Sequence, residues 1–129
     1  MTMATPKRIN ASYDRGNSQI EVNLSVLYWI DNSIHFFYSP ALDLTGYGNT
    51  EKEAWSSLEH TLSAFIAYTE NNNTLFLELE KLGWAIDQKN KLAQPPSDQE
   101  LLADNATYKE LLNKPNVLKT ETNFSFALT

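Results

Sequence analysis

From Gln19 to Ile30 the chain alternates in hydropathy. Ile20, Val22, Leu24, Val26, Tyr28 and Ile30 share one phase, with Glu21, Asn23 and Ser25 on the other. Period two is the signature of a strand with one face in a core. Asp31-Asn32 reads as a short polar turn and Ser33 to Tyr38 as a second strand, so the spacing predicts a hairpin. Pro40 ends that strand or bulges it, and Leu42 to Tyr47 reads as a third, shorter strand. The period then changes. Ala54, Leu58, Leu62, Phe65 and Ile66 recur at helical spacing with Trp55 at the margin, and Glu51, Lys52, Ser56, Ser57, Glu59 and Ser63 take the opposite side. Burying each large side chain of such a stripe is worth about 1.5–3 kcal/mol before chain entropy is subtracted. The helix can realise that only against a sheet.

The start of this helix is legible residue by residue. Gly46 and Gly48 flank Tyr47 and let the backbone turn where a side chain would obstruct it. Thr50 stands at the N-cap with Glu53 three residues on, a capping box in which each side chain bonds the other's amide. Further along, Leu75, Leu79 and Leu82 mark a short helix from about Thr74, closed by Gly83 in the left-handed conformation. Trp84-Ala85-Ile86 reads as a brief extended piece, and Asp87 to Pro96 as a surface loop. Ser97-x-x-Glu100 is a second capping-box pattern, and Asn105 can cap a turn or two from Ala106 to Asn113 that points Tyr108, Leu111 and Leu112 inward. Val117 to Leu128 alternates again, so the chain should close on a strand docked to the sheet.

The second face of the hairpin carries large groups. Continuing the alternation through the turn places Leu27, Trp29 and Phe37 together on the phase opposite the core. A solvated sheet face does not usually hold Trp and Phe, so either the C-terminal segment or another chain should cover it. These three residues are the candidate interaction surface.

Composition narrows the function. At 129 residues with 42% apolar content, the chain can build a core; residues 1–17 read as a tail or edge strand, and residues 18–129 as one α+β domain. The expected architecture is an antiparallel sheet of three to four strands with helices on one face. A net charge of −6 repels a nucleic-acid backbone, so no direct nucleic-acid binding is expected. Cysteine is absent, Met1 to Ser18 lacks the apolar segment of a signal peptide, and no run approaches membrane-spanning length. The expected location is the cytoplasm.

Candidate chemistry is sparse. Glu21, Asp43, Glu51 and Glu53 are the carboxylates a metal-dependent nuclease would need to converge on an ion. Glu51 and Glu53 do not share a helix face, and Asp43 suits a turn. His35, on the second face, and His60, beside the helical stripe, have no spacing that pairs them. Neither a Gly-rich phosphate loop nor a nucleophile elbow is present. No catalytic residue, cofactor or metal is expected, and the reading is not that of an enzyme.

Pro40, Leu42, Gly46, the run Gly48-Asn49-Thr50-Glu51-Lys52-Glu53-Ala54, and Leu82-Gly83-Trp84 resemble the HicB-like antitoxin family. The resemblance covers about residues 19–86. It implies a β-β-β-α core of partial RNase H-like fold, oligomer formation, and neutralisation of a small, basic, mRNA-cleaving toxin by covering its active site. Two departures stand out. Ala41 occupies the place of the family's common Asp after Pro, with Asp43 two positions later, and residues 87–129 resemble neither of the DNA-binding modules that often follow the small domain. The alternative reading is a stand-alone structural or regulatory oligomer of this fold with no toxin partner; a degenerate nuclease is the third.

Overall fold

The computed structural model describes residues 8–10, 18–87, 89 and 92–128. Strands β1 (Arg8–Asn10), β2 (Ser18–Asp31), β3 (Ile34–Ser39), β4 (Leu44–Gly48) and β7 (Leu118–Leu128) form one sheet in the order β1-β7-β2-β3-β4. The four strands β7-β2-β3-β4 are antiparallel, and β1 pairs parallel to β7. The helices are α1 (Glu51–Asn71), α2 (Leu75–Lys81), α3 (Asp98–Asp104) and α4 (Ala106–Leu112). The expected α+β class and antiparallel strands are present, but the helices lie on both faces of the sheet and not on one: α1 packs on the Phe37 face, and α3 and α4 reach Lys119 and Tyr38 on the other. The C-terminal strand is not merely docked: it enters the sheet between β1 and β2 and pairs with β2 along Ser18 to Tyr28. The stretch read as a loop after Asp87 instead contains β6 (Leu92–Gln94), which pairs with β5 (Ala85–Asp87) in a separate two-stranded ribbon. Pro95 and Pro96 follow the pairing, so the proline signal was correct but lay later than the strand it should have bounded.

The β2–β3 hairpin turns on Asn32-Ser33, one residue later than the polar pair suggested. Both residues have positive φ, 50° and 68°, the requirement of the two-residue turn that matches strand twist. Asp31 therefore pairs with Ile34, and each odd position of β2 pairs with an even position of β3. Phase carried straight through the turn is thus wrong for β3. Phe37 lies opposite Tyr28 and His35 opposite Ile30, both on the face of Val26 and Leu24. Phe36, opposite Trp29, takes the second face.

α1 lies on that first face. Trp55 meets Phe37 edge to face, with ring centroids 4.9 Å apart, and Ala54, Leu58, Leu62 and Ile66 are buried with it. Phe65 of the predicted stripe is only half-buried. The seat under the helix is made by glycine, and neither Gly46 nor Gly48 has positive φ. A Cβ on Gly46 would stand 2.3 Å from the Leu58 amide nitrogen and 2.5 Å from the Ala54 carbonyl oxygen; one on Gly48 would stand 2.5 Å from Glu53 Cβ. Their role is close approach of helix to strand, not turning. The helix start is half of the expected box: Thr50 Oγ1 accepts from the Glu53 amide at 3.1 Å, while Glu53 Oε1 accepts from the Asn49 amide at 3.0 Å instead of from Thr50. Ser97 and Glu100 form the complete reciprocal box, and Asn105 caps α4 through the Tyr108 amide. Gly83, at φ 97°, closes α2 as expected, and Trp84 folds back to donate its indole N–H to the Ala41 carbonyl at 2.8 Å. No described helix is long and apolar enough to cross a membrane.

Candidate functional site

The second sheet face carries two adjacent rows. In the lower one, Lys119, Leu27, Tyr38 and Thr45 lie side by side across β7, β2, β3 and β4. In the upper one, nearer the hairpin turn, Trp29, Phe36 and Tyr47 lie side by side across β2, β3 and β4.

The lower row is covered by α3 and α4. Asn105 Nδ2 donates to the Tyr38 hydroxyl at 2.9 Å, and that hydroxyl donates to Asp43 Oδ1 at 2.7 Å. Burial, together with the Asp43 carboxylate and partly offset by Asn105, pushes the Tyr38 phenol up to about 12, so it remains a donor. On the β7 side, the Asp98 carboxylate accepts from the buried Tyr108 hydroxyl and, at 3.1 Å, from Lys119 Nζ, which also sits 5.6 Å from the Tyr108 ring centre. The Tyr108 hydrogen bond, then Lys119, hold the Asp98 carboxyl below its ordinary value. Burial, then Asp98, raise Tyr108. Burial pulls Lys119 down, but its contacts with Tyr108 and Asp98 outweigh it, and its pKa is raised. These contacts clamp residues 97–112 to the sheet. They are why Leu27 is 0% exposed.

The upper row is left open. Trp29 and Phe36 are half-buried, and Tyr47 is 65% exposed. The Trp29 and Phe36 rings are 5.3 Å apart at 13°. Two rings lying flat on a sheet need roughly 6.5 Å between centres to keep their edge carbons about 3.7 Å apart. These rings are therefore stacked on each other with an offset. Tyr47 continues the row at 6.3 Å from Phe36. Ile30, 48% exposed beside Trp29 in sequence, extends the apolar surface around the hairpin end onto the other face.

Of the three candidate residues, only Trp29 is partly exposed on the second face. Leu27 is covered by this chain's own C-terminal helices, and Phe37, also 0% exposed, belongs under α1. Their side chains cannot meet a partner in this fold. Phe36 and Tyr47, not among those candidates, are the residues that lie beside Trp29 in the open row. The signal for Phe36 was present: had Asn32-Ser33 been taken as the turn, its pairing with Trp29 would have followed. Gly46, Gly48, Thr50 and Glu53 all serve the β4–α1 junction.

The carboxylate candidates do not converge. No group of three or more His, Cys, Asp or Glu suited to a metal exists among the described residues. Asp43, at φ 53°, is held by Tyr38, and Glu53 by the Asn49 amide. His35 is not on the second face; its Nδ1 lies 2.5 Å from the Tyr28 hydroxyl on the helix face. Burial, then the Glu51 charge, raise the Tyr28 phenol. His60 is exposed on α1. An open cleft of about 520 Å³ lies between Pro40–Asp43, the α2 end and the α3–α4 junction, where Asp43, Lys81 and Asp104 mix charge of both signs. Asp43 and Asn105, on its wall, are already joined through Tyr38.

No family model, curated protein or solved structure matches this chain.

Proposed function

We infer that this chain is a non-enzymatic protein-binding domain that docks its partner on the Trp29–Phe36–Tyr47 row. The observation that carries the reading is the contrast between the two rows: one is sealed by the chain's own helices, and the next, two residues along each strand, leaves Trp29 and Phe36 half-buried and Tyr47 mostly exposed. Aromatic groups of this kind anchor protein interfaces. A chain of net charge −6 does not attract phosphate. An acidic domain suits a small basic partner, because complementary potentials speed encounter. The succession β2-β3-β4-α1 and the Gly48 to Ala54 run support the more specific form of the proposal, an antitoxin-like chain of HicB type that blocks a small RNA-cleaving protein in the cytoplasm.

The test is paired capture from the source cell. Wild type and a Trp29→Ala/Phe36→Ala/Tyr47→Ala variant are compared, and any protein retained is assayed for RNA cleavage with and without this chain. The expected result is a basic protein held by wild type and lost by the variant, with cleavage suppressed by wild type alone. Identical captures by both chains would overturn the docking site. A wild type that only self-associates through this row would replace the partner reading with the stand-alone oligomer.

A further inference from the structure

The sheet ends beside the aromatic row: β4 is the last strand on its side of the sheet order among the described residues. Its outward groups follow from the register. A two-residue turn makes Asp31 and Ile34 a hydrogen-bonded pair, and alternation then directs the main chain of His35, Phe37 and Ser39 toward β4. The partners Gly48, Gly46 and Leu44 face inward, so the N–H and carbonyl groups of Thr45 and Tyr47 point away from the sheet. One independent contact agrees: the Tyr47 N–H reaches the Ser57 hydroxyl of α1 at 3.2 Å. A hydroxyl rotates and exchanges readily with water, so Ser57 is a weak occupant of a position that a strand carbonyl would fill.

We propose that β4 takes an extended, basic segment of the partner protein as an added strand. The proposal rests on the protein-binding reading above and specifies its mode. Main-chain pairing would use Thr45 and Tyr47. Side chains of the added strand would alternate between the two faces of the enlarged sheet. Those beside Tyr47 would extend the Trp29–Phe36–Tyr47 row and should be apolar. Those on the helix side would lie along α1 near Glu53, whose Cβ lies where a Gly48 side chain would project, and should be Lys or Arg. Asp43, exposed just before β4, places a second negative charge at the other end of the edge. Lys52 directly precedes Glu53 in sequence, and Lys81 shares the cleft with Asp43, so the basic preference rests on Glu53 and on the acidity of the chain as a whole.

The probe is a short capped peptide of alternating lysine and valine, titrated into the full chain and followed by amide hydrogen exchange and chemical shifts. The expected result is protection of the Thr45 and Tyr47 amides at millimolar peptide or below. Affinity should fall about tenfold or more when alternate peptide amides are N-methylated, because paired hydrogen bonds are lost with side chains unchanged. It should fall comparably when lysine is replaced by glutamate. Ser57→Ala, which frees the Tyr47 N–H, should raise affinity about twofold or more. No protection at β4, or equal binding by the N-methylated peptide, would overturn the added strand. The N-methyl comparison leaves the aromatic row intact, and capture by the triple alanine variant leaves the β4 main chain intact, so the two proposals fail separately.

Discussion

Gly46→Ala tests the packing on which the site is built. The new Cβ would stand 2.3 Å from the Leu58 amide nitrogen, 2.5 Å from the Ala54 carbonyl oxygen and 2.7 Å from Leu58 Cα. All three are helix backbone, which cannot swing aside as a side chain can. Restoring ordinary contact of about 3.5 Å requires α1 to lift by roughly 1 Å. A gap of that size forfeits a quarter to a half of the dispersion energy of the groups it separates, here Ala54, Trp55 and Leu58, all buried. Overpacking against rigid neighbours costs up to about 3 kcal/mol, and the entropy gained from replacing glycine returns only about 0.5 kcal/mol. A net loss of about 2–2.5 kcal/mol is expected, read as a lower urea midpoint with unchanged slope and a Tm fall of about 8–10 °C. Near-ultraviolet circular dichroism should show the Trp55–Phe37 contact perturbed. A variant within about 0.5 kcal/mol of wild type would refute the claim that the helix rests directly on the strand backbone.

Other perturbations separate the remaining elements. The Asp98 carboxyl is depressed by Tyr108 and Lys119, so its contribution is present above the ordinary carboxylate range and lost as pH falls through its lowered value. Wild type should therefore lose part of the α3–α4 clamp below about pH 4, by about 1 kcal/mol or less given its exposure, followed by Tyr108 signals; Asp98→Asn should flatten that acid limb. Thr122 is 0% exposed and its hydroxyl has no hydrogen-bond partner among the described residues, so Thr122→Val should be neutral or stabilising by about 1 kcal/mol in urea unfolding. Tyr47→Ala should cost less than about 1 kcal/mol of stability, since the ring is mostly exposed, yet weaken partner binding tenfold or more by calorimetry.

What was legible in the sequence was local. Thr50, Ser97, Asn105 and Gly83 act within one helical turn of themselves, so their roles could be assigned without knowing the fold. The alternation of β2 and β7 was also plain: Leu24, Val26 and Tyr28 of β2 and Thr122 and Phe124 of β7, all in one phase, are buried. What failed depended on long-range register. Phe37 changed faces because a two-residue turn couples odd to even positions, and no property of Phe37 itself reports that. Leu27 was expected under some cover, but that α3 and α4 supply it rests on Tyr38–Asn105 and on Asp98–Tyr108–Lys119, contacts between residues distant in the chain. Tyr47 ends the stretch that reads as the third strand, but Gly46 and Gly48 on either side read as turn residues, so its face is not legible from the pattern. Only the clearance to α1 shows why glycine alternates there.

Oxidative footprinting of the purified chain, alone and with its captured partner, tests the central claim most directly. Tyr68 on α1 is 70% exposed and serves as the internal control. Binding should protect Trp29, Phe36 and Tyr47 and leave Tyr68 reactive. Protection of Tyr68 with the row unchanged would place the partner on the helix and contradict the account.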